Sequence, residues 1–285
     1  MAKTVVRLPY FDVLLKTLEG GNPQIELAFG RHVHWGYWPQ PRQALNSADD
    51  FRQAAERLTH EVYAAAQVTN GQSVLDVGCG FGGTIASLNE QFSQMNLVGL
   101  NIDARQLERA RQKVTARDGN TVRFEEGCAT RLPFPDQSFD VVLAVECIFH
   151  FPSRRQFFQE AFRVLKPGGR LALSDFVPVR WILPSLWLKS MIGLPFYGAF
   201  DFRCTVAGYR ELAATVGFEC LPEQDITANT LPTYAFLSSL KKEFPPNRVA
   251  SSETFVLEWM SRLRLLRYMI LSFKKDASVE KAHQL

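Results

Sequence analysis

Val74-Leu75-Asp76-Val77-Gly78-Cys79-Gly80-Phe81-Gly82-Gly83 takes an apolar strand straight into a glycine-rich turn and then into a helix that begins near Thr84. Glycines at 78 and 80 allow positive φ and carry no Cβ to hold the backbone away from a ligand, while the free N–H groups of the helix start favour polar or anionic groups. The stretch reads as the cradle of a nucleotide cofactor. Gly78, Gly80 and Gly83 also satisfy G-x-G-x-x-G, a spacing that needs its context before it means a dinucleotide. Two details argue against NAD. Asp76 stands where a dinucleotide-binding strand is apolar, and the next strand, Leu97-Val98-Gly99-Leu100-Asn101, ends in neutral Asn101 where a ribose-chelating acid belongs.

Outward from that turn, short apolar runs alternate with helical patterns, the signature of a parallel sheet covered on both faces. The expected strands are Ser73–Val77, Asn96–Asn101, Thr121–Glu126, Phe139–Val145 and Gly169–Phe176, followed by Glu219–Ile226 and Leu266–Lys274. Asp103 to Ala116 reads as a helix capped by Asp103, with Leu107, Ala110 and Val114 inward. Ser153 to Leu165 is a second, with Phe157, Phe158, Ala161, Phe162 and Leu165 inward; Lys166-Pro167-Gly168-Gly169 then stops it and turns the chain into the fifth strand. Further helices are expected from about Ser47 to Ala66 and from Thr205 to Val216.

Composition bounds the function. The 285 residues, 46% of them hydrophobic, suffice for one large core with additions. A formal charge of +3 without a basic run does not favour a nucleic-acid partner. The five cysteines, at 79, 128, 147, 204 and 220, include no C-x-x-C pair and no zinc-like spacing, which fits a reducing cytosol. Met1 to Pro9 lacks a signal-peptide pattern and no apolar run reaches membrane-spanning length, so the expected location is cytoplasmic, without stable membrane insertion.

Three elements in order, Val-Leu-Asp-Val-Gly-Cys-Gly at 74–80, Leu-Pro-Phe-Pro-Asp-Gln-Ser-Phe-Asp at 132–140 and Val-Leu-Lys-Pro-Gly-Gly at 164–169, resemble class I S-adenosylmethionine-dependent methyltransferases. His34-Trp35-Gly36-Tyr37-Trp38 looks like the aromatic entry segment of the branch that methylates natural products, sterols and tocopherols. The resemblance implies an α/β fold: a doubly wound, Rossmann-like seven-stranded sheet of order 3-2-1-4-5-7-6 with the last strand antiparallel, an N-terminal helical and aromatic lid, and a cap inserted after strand five. By role the chain would divide into 1–70 (helical extension and lid), 71–177 (cofactor-binding core), 178–204 (substrate cap) and 205–285 (the rest of the core).

The implied cofactor is S-adenosylmethionine, its product S-adenosylhomocysteine. Gly78, Cys79 and Gly80 would face its methionine part, Asn101 and Ile102 its ribose and adenine, and Cys128-Ala129 the adenine edge; Asp76, Gln106 and Val145 are counted with them. Trp35 and Tyr37 would close over the amino-acid end and the sulfonium, a cation beside aromatic faces. The chain departs from the family where Gly127-Cys128-Ala129 replaces Gly-Asp-Ala, where Asn101 replaces an acid, and where Phe149 precedes His150 in place of a second histidine.

Methyl transfer from a sulfonium is an in-line displacement, so an enzyme mainly holds the acceptor close and excludes water. His150, Glu146 and Asp175 are the expected catalytic residues, His150 past strand four and Asp175 at the end of strand five, both opening onto an acceptor-side cleft, with the carboxylate orienting the histidine. The plainer readings are a loop histidine bonded to backbone, a Glu146 paired with Arg154 or Arg155, and an Asp175 serving as a cap before Pro178. Cys147 reads as a small packing residue, and His32 and His34 as structural or lid residues. Trp181–Leu188 and Met191–Phe200 form the expected apolar cap, which points to a small hydrophobic acceptor or else packs on the sheet or a second subunit. Arg262, Arg264 and Arg267 read as a solvated helix face, with anionic lipid the alternative. No metal is expected, and the protein would be a monomer or homodimer. The rival functions are a non-catalytic cofactor-binding scaffold and an NAD-dependent oxidoreductase.

Overall fold

The computed structural model describes residues 8–184, 196–198, 200–244 and 248–276. Residues 185–195 and 199, all within the expected cap, lie outside the described residues. Contacts divide the chain into two compact units. One comprises Met1–Leu58, Phe176–Thr205 and Asp225–Tyr268, the other Thr59–Asp175, Val206–Gln224 and Met269–Leu285.

The second unit carries most of the sheet. Strands β1 (Ser73–Val77), β2 (Asn96–Asn101), β3 (Thr121–Glu126), β4 (Phe139–Val145), β5 (Leu165–Pro178), β6 (Phe218–Cys220), β7 (Gln224–Asp225) and β8 (Leu266–Lys275) form one sheet in the order β3-β2-β1-β4-β5-β8-β6, with β7 paired to β8. β1 pairs in parallel with β2 and β4, as do β2 with β3 and β4 with β5, while β8 runs antiparallel to β6. This is the expected order with one two-residue strand added. β1 and β4 are buried along nearly their whole length, as strands covered on both faces must be, whereas edge strand β3 keeps Arg123, Glu125 and Glu126 in water.

Helices between the parallel strands begin where their caps dictate. Asp103 accepts from the Arg105 N–H to start α5 (Ala104–Lys113 in chain order, after α1 Pro9–Glu19, α2 Pro23–Phe29, α3 Ala48–Ala65 and α4 Gly83–Gln91). Ser153 accepts from the Gln156 N–H to start α6 (Arg154–Val164). Three local expectations are corrected. Val114 is the extended C-cap of α5 and half-buried, so that helix stops three residues early, as a β-branched residue ahead of the positive-φ pair Asp118 and Gly119 favours. The Lys166–Gly169 turn lies inside β5 as a bulge: Leu165 already pairs with Phe139, and the register shifts before Arg170 meets Val141. The single strand expected at Glu219–Ile226 is two short ones, because Pro222 between them has no N–H for the ladder. Phe162 is half-buried, its ring edge-on to Phe218 and under the Lys275 ammonium at 4.6 Å.

The first unit is mainly helical: α1, α2 and α3 as far as Leu58, then α8 (Thr227–Thr230), α9 (Pro232–Ser239) and α10 (Arg248–Arg262), with the rest of α3 and α7 (Val206–Val216) belonging to the second unit. No helix among the described residues is long and apolar enough to cross a membrane.

Candidate functional site

The glycine turn is tied to the end of β2. The N–H groups of Gly78 and Cys79 both donate to the Leu100 carbonyl, at 2.8 and 3.0 Å. Gly78 and Gly80 have φ of 79° and 53°, but they serve different ends. A Cβ on residue 78 would stand 2.8 Å from Cβ and Sγ of Cys147, so Gly78 permits close packing of the turn on the loop after β4. A Cβ on residue 80 would meet only Gln106 Oε1, at 3.8 Å, so Gly80 faces open space. That space is the one expected to hold the cofactor.

Asp76 lies beneath it, 1% exposed. Burial raises its carboxyl to about 7, with a Thr84 hydrogen bond pulling the other way, and Oδ2 has no hydrogen-bond partner among the described residues. An orphaned buried acceptor is a place for a donor from a ligand. Without one, the folded state holds a proton that the unfolded chain has lost between about pH 4 and 7. This group therefore favours the fold most below about pH 4 and loses that contribution as pH rises through 7. Asp76→Asn in the ligand-free protein is expected to remove the fall, a gain on the order of 4 kcal/mol on the alkaline side of that window and little on the acid side. Thermal melts on both sides check it; a variant that tracks the native protein at every pH refutes it.

Asn101, Ile102 and Gln106 close the second side. Asn101 Oδ1 accepts from the Ile102 and Asp103 N–H groups at 2.7 and 3.3 Å, and its Nδ2 donates to Gln106 Oε1 at 3.0 Å. The neutral residue thus shapes its own turn and orients Gln106 toward Gly80. The Gly127 N–H donates to the Asn101 carbonyl, setting Cys128 and Ala129 beside it; Cys128 Sγ lies 3.1 Å from Thr130 Oγ1.

The loop after β4 packs on the glycine turn. Val145 is buried at the strand end. Glu146 has φ 49°, a left-handed conformation that costs a non-glycine residue roughly 1–3 kcal/mol and collects at functional sites. Its N–H donates to Ser174 Oγ at 3.0 Å. Cys147 donates its thiol to the Val77 carbonyl at 3.0 Å, and burial pushes that thiol far up, which is packing chemistry and not that of a nucleophile. His150 ends a short turn, Ile148–His150, half-buried and with its ring edge-on to Phe149.

Asp175 requires a correction. It stands at the end of β5 as expected but has no exposed surface, and its Oδ2 accepts from Arg154 Nη2 at 3.0 Å and from the Tyr209 hydroxyl. Arg154 Nε donates in turn to the Tyr209 oxygen at 3.0 Å. Asp175 is thus an ion-pair partner of Arg154. The side chain does not open onto a cleft. Arg154 and Tyr209, 55 residues apart, carry no sign in the sequence of meeting.

The aromatic segment belongs to the other unit. Burial alternates along it: His32, His34, Gly36 and Trp38 are inward, while Trp35 and Tyr37 are half-buried. His32 Nε2 lies 2.7 Å from Glu56 Oε2, and His32 Nδ1 lies 3.1 Å from His34 Nε2. Burial and His32 drop His34 to about 3, so it is neutral. Its Nδ1–H then serves the Trp35 carbonyl and its Nε2 accepts from His32. Trp35 stands edge-on to Tyr234 and Phe176, with Phe200 and Phe202 ringed about Phe176. The Tyr37 N–H donates to the Ala54 carbonyl.

The methyltransferase-domain family matches residues 75–173. Methyltransferase GfsG of Streptomyces halstedii is 35% identical over 213 residues, 74% of each chain. (+)-O-methylkolavelool synthase of Herpetosiphon aurantiacus is 30% identical over 278 residues, 93% of this chain and 92% of that one. Among solved structures, a geranyl diphosphate C-methyltransferase from Streptomyces coelicolor A3(2) with bound S-adenosyl-L-homocysteine shares the fold, with a TM-score of 0.71 at 18% identity over 96% of this chain and 100% of that one.

Proposed function

The chain belongs to the class I S-adenosylmethionine-dependent methyltransferases, and we propose that it methylates a hydroxyl group of a small lipophilic metabolite, with His150 as the base. Its cofactor is S-adenosylmethionine, and methyl transfer to small molecules is the chemistry of its family. When bound, the cofactor supplies an electrophilic methyl group on a sulfonium. The residues present suit it: an open approach at Gly80, an orphaned acceptor on Asp76, and polar groups of Asn101 and Gln106 beside both. Backbone of Gly78, Cys79 and Gly80 would hold the methionine part, Asn101, Ile102 and Gln106 the ribose side, and Cys128, Ala129 and Val145 the rim around the base.

The observation that carries the acceptor assignment is the contact of Cys147 with Gly78. It fixes the loop after β4 against the glycine turn, which supports a reading in which the polar residues of that loop, Glu146 and His150, would flank the acceptor. A hydroxyl is a weak nucleophile until it loses its proton, and a positioned imidazole is suited to take it, a contribution of typically 10²–10⁴-fold. Glu146, held in its left-handed conformation, would orient acceptor or histidine. A hydroxyl acceptor agrees with the product named for the nearly full-length relative. The sterol 24-C-methyltransferase of Pneumocystis carinii, 36% identical over 45% of this chain, lends support to an apolar one.

His150→Ala is expected to lower turnover about a hundredfold or more while leaving the dissociation constant for S-adenosylmethionine within about threefold. Labelled-methyl transfer to the preferred acceptor and calorimetric titration of the cofactor measure the two. Unchanged turnover removes His150 from the chemistry; equal loss of binding makes it part of the cofactor site.

A further inference from the structure

We propose that the exposed face of α10 docks the protein reversibly onto an anionic lipid surface. The helix turns Glu253, Leu257 and Ser261 inward. Its other side leaves Val249, Phe255, Val256 and Trp259 exposed by 45, 58, 42 and 51%, and Leu263, in the turn that follows, by 59%. At 100° per residue these five fall within an arc of roughly 120°. Phe255 and Trp259 touch along it, ring centroids 6.2 Å apart. Single exposed apolar residues need no explanation, but a continuous row on one helix does. The Val179 N–H donates to the Leu265 carbonyl at 2.9 Å, which sets the short turn Arg180–Ile182 beside the C-terminal end of this row. That turn presents Trp181, 72% exposed.

The charges select the occupant. Arg248 lies within the arc, Arg262 on its edge, and Arg264 and Arg180 at its end, all four exposed. Against them stand Glu258, paired with Arg262, and Asp225, paired with Arg264, so four cations face two carboxylates. A second copy on this face would bring the excess of like charge against itself across a twofold axis. Anionic headgroups complement it, and Trp, Phe and Leu edged by arginine is the composition of a helix that lies in the interface plane. The inference does not depend on which acceptor the enzyme uses.

Co-sedimentation of the full chain with vesicles tests it. Binding is expected to vesicles of phosphatidylcholine mixed with phosphatidylglycerol, to weaken as salt is raised, and to be slight on phosphatidylcholine alone. Phe255→Ser combined with Trp259→Ser should lower partitioning at least tenfold. Arg180→Glu and Arg248→Glu should each lower it about fivefold or more at low salt. The thermal midpoints should not move, since these side chains are exposed. The proposal is overturned if the protein ignores anionic vesicles, or if the serine variant partitions like the native chain. It is equally overturned if the face proves to hold a concentration-dependent dimer that the serine variant dissociates and vesicles do not displace.

Discussion

Titrated with S-adenosylmethionine, the Gly80→Val variant is expected to show no measurable binding, a loss of at least about a hundredfold, while its circular dichroism stays that of the native protein. The reason lies in what surrounds residue 80. A Cβ there meets nothing of the protein closer than Gln106 Oε1 at 3.8 Å. The fold therefore pays only for holding a side chain at positive φ, roughly 1–2 kcal/mol, and the new methyls project into the space proposed to hold the cofactor. Gly80→Ala, with one methyl, should bind the cofactor about tenfold more weakly with the fold intact. Gly78→Ala should behave in the opposite sense. Its Cβ would collide with Cys147 at 2.8 Å, so stability should drop by about 1–3 kcal/mol, the cost of overpacking. If Gly80→Val binds cofactor normally, the open space beside it is not the cradle. If both glycine variants lose fold and binding together, the division of labour between the two positions is wrong.

The parts of the molecule that could be read from sequence are those whose determinants are local. β1 to β4 end where expected because each apolar run is bounded by its own turn, and α5 and α6 begin where Asp103 and Ser153 can cap them. The approach of Asn101 and Gln106 to the glycine turn follows from strand order, which the alternation of strands and helices implies. What was missed is of two kinds, local signals underweighted and meetings across the chain. Pro222 splits the segment Glu219–Ile226, which otherwise reads as one strand. The first two helices, Pro9–Glu19 and Pro23–Phe29, follow prolines set at their starts, a signal present but weaker than the aromatic segment beside it. Asp175 looked catalytic because strand-end acids in such sheets face the ligand side. Only the arrival of Arg154 from α6 and Tyr209 from α7 shows that its carboxylate is committed to the interior.

That commitment gives the second large effect. Arg154→Met is expected to destabilise the protein by about 3–5 kcal/mol, because it strands the fully buried Asp175 without its countercharge. Asp175→Leu should cost a similar amount for the converse reason, leaving the guanidinium in a site 8% exposed. The double variant should recover most of the loss, since two apolar side chains need neither partner, and the coupling read from the cycle should be of order 2–3 kcal/mol or more. Tyr209→Phe, which removes one donor to Asp175 and one acceptor for Arg154 Nε, should fall nearer 1–3 kcal/mol. Urea unfolding of the native protein and the four variants measures all of this. The same set separates a structural aspartate from a catalytic one. If Asp175 acts by holding the starts of α6 and α7 to the end of β5, methyl transfer by the stable double variant returns with the fold. A double variant that regains stability and cofactor affinity yet transfers no methyl group would return Asp175 to the chemistry, acting on the acceptor through the loop that carries His150.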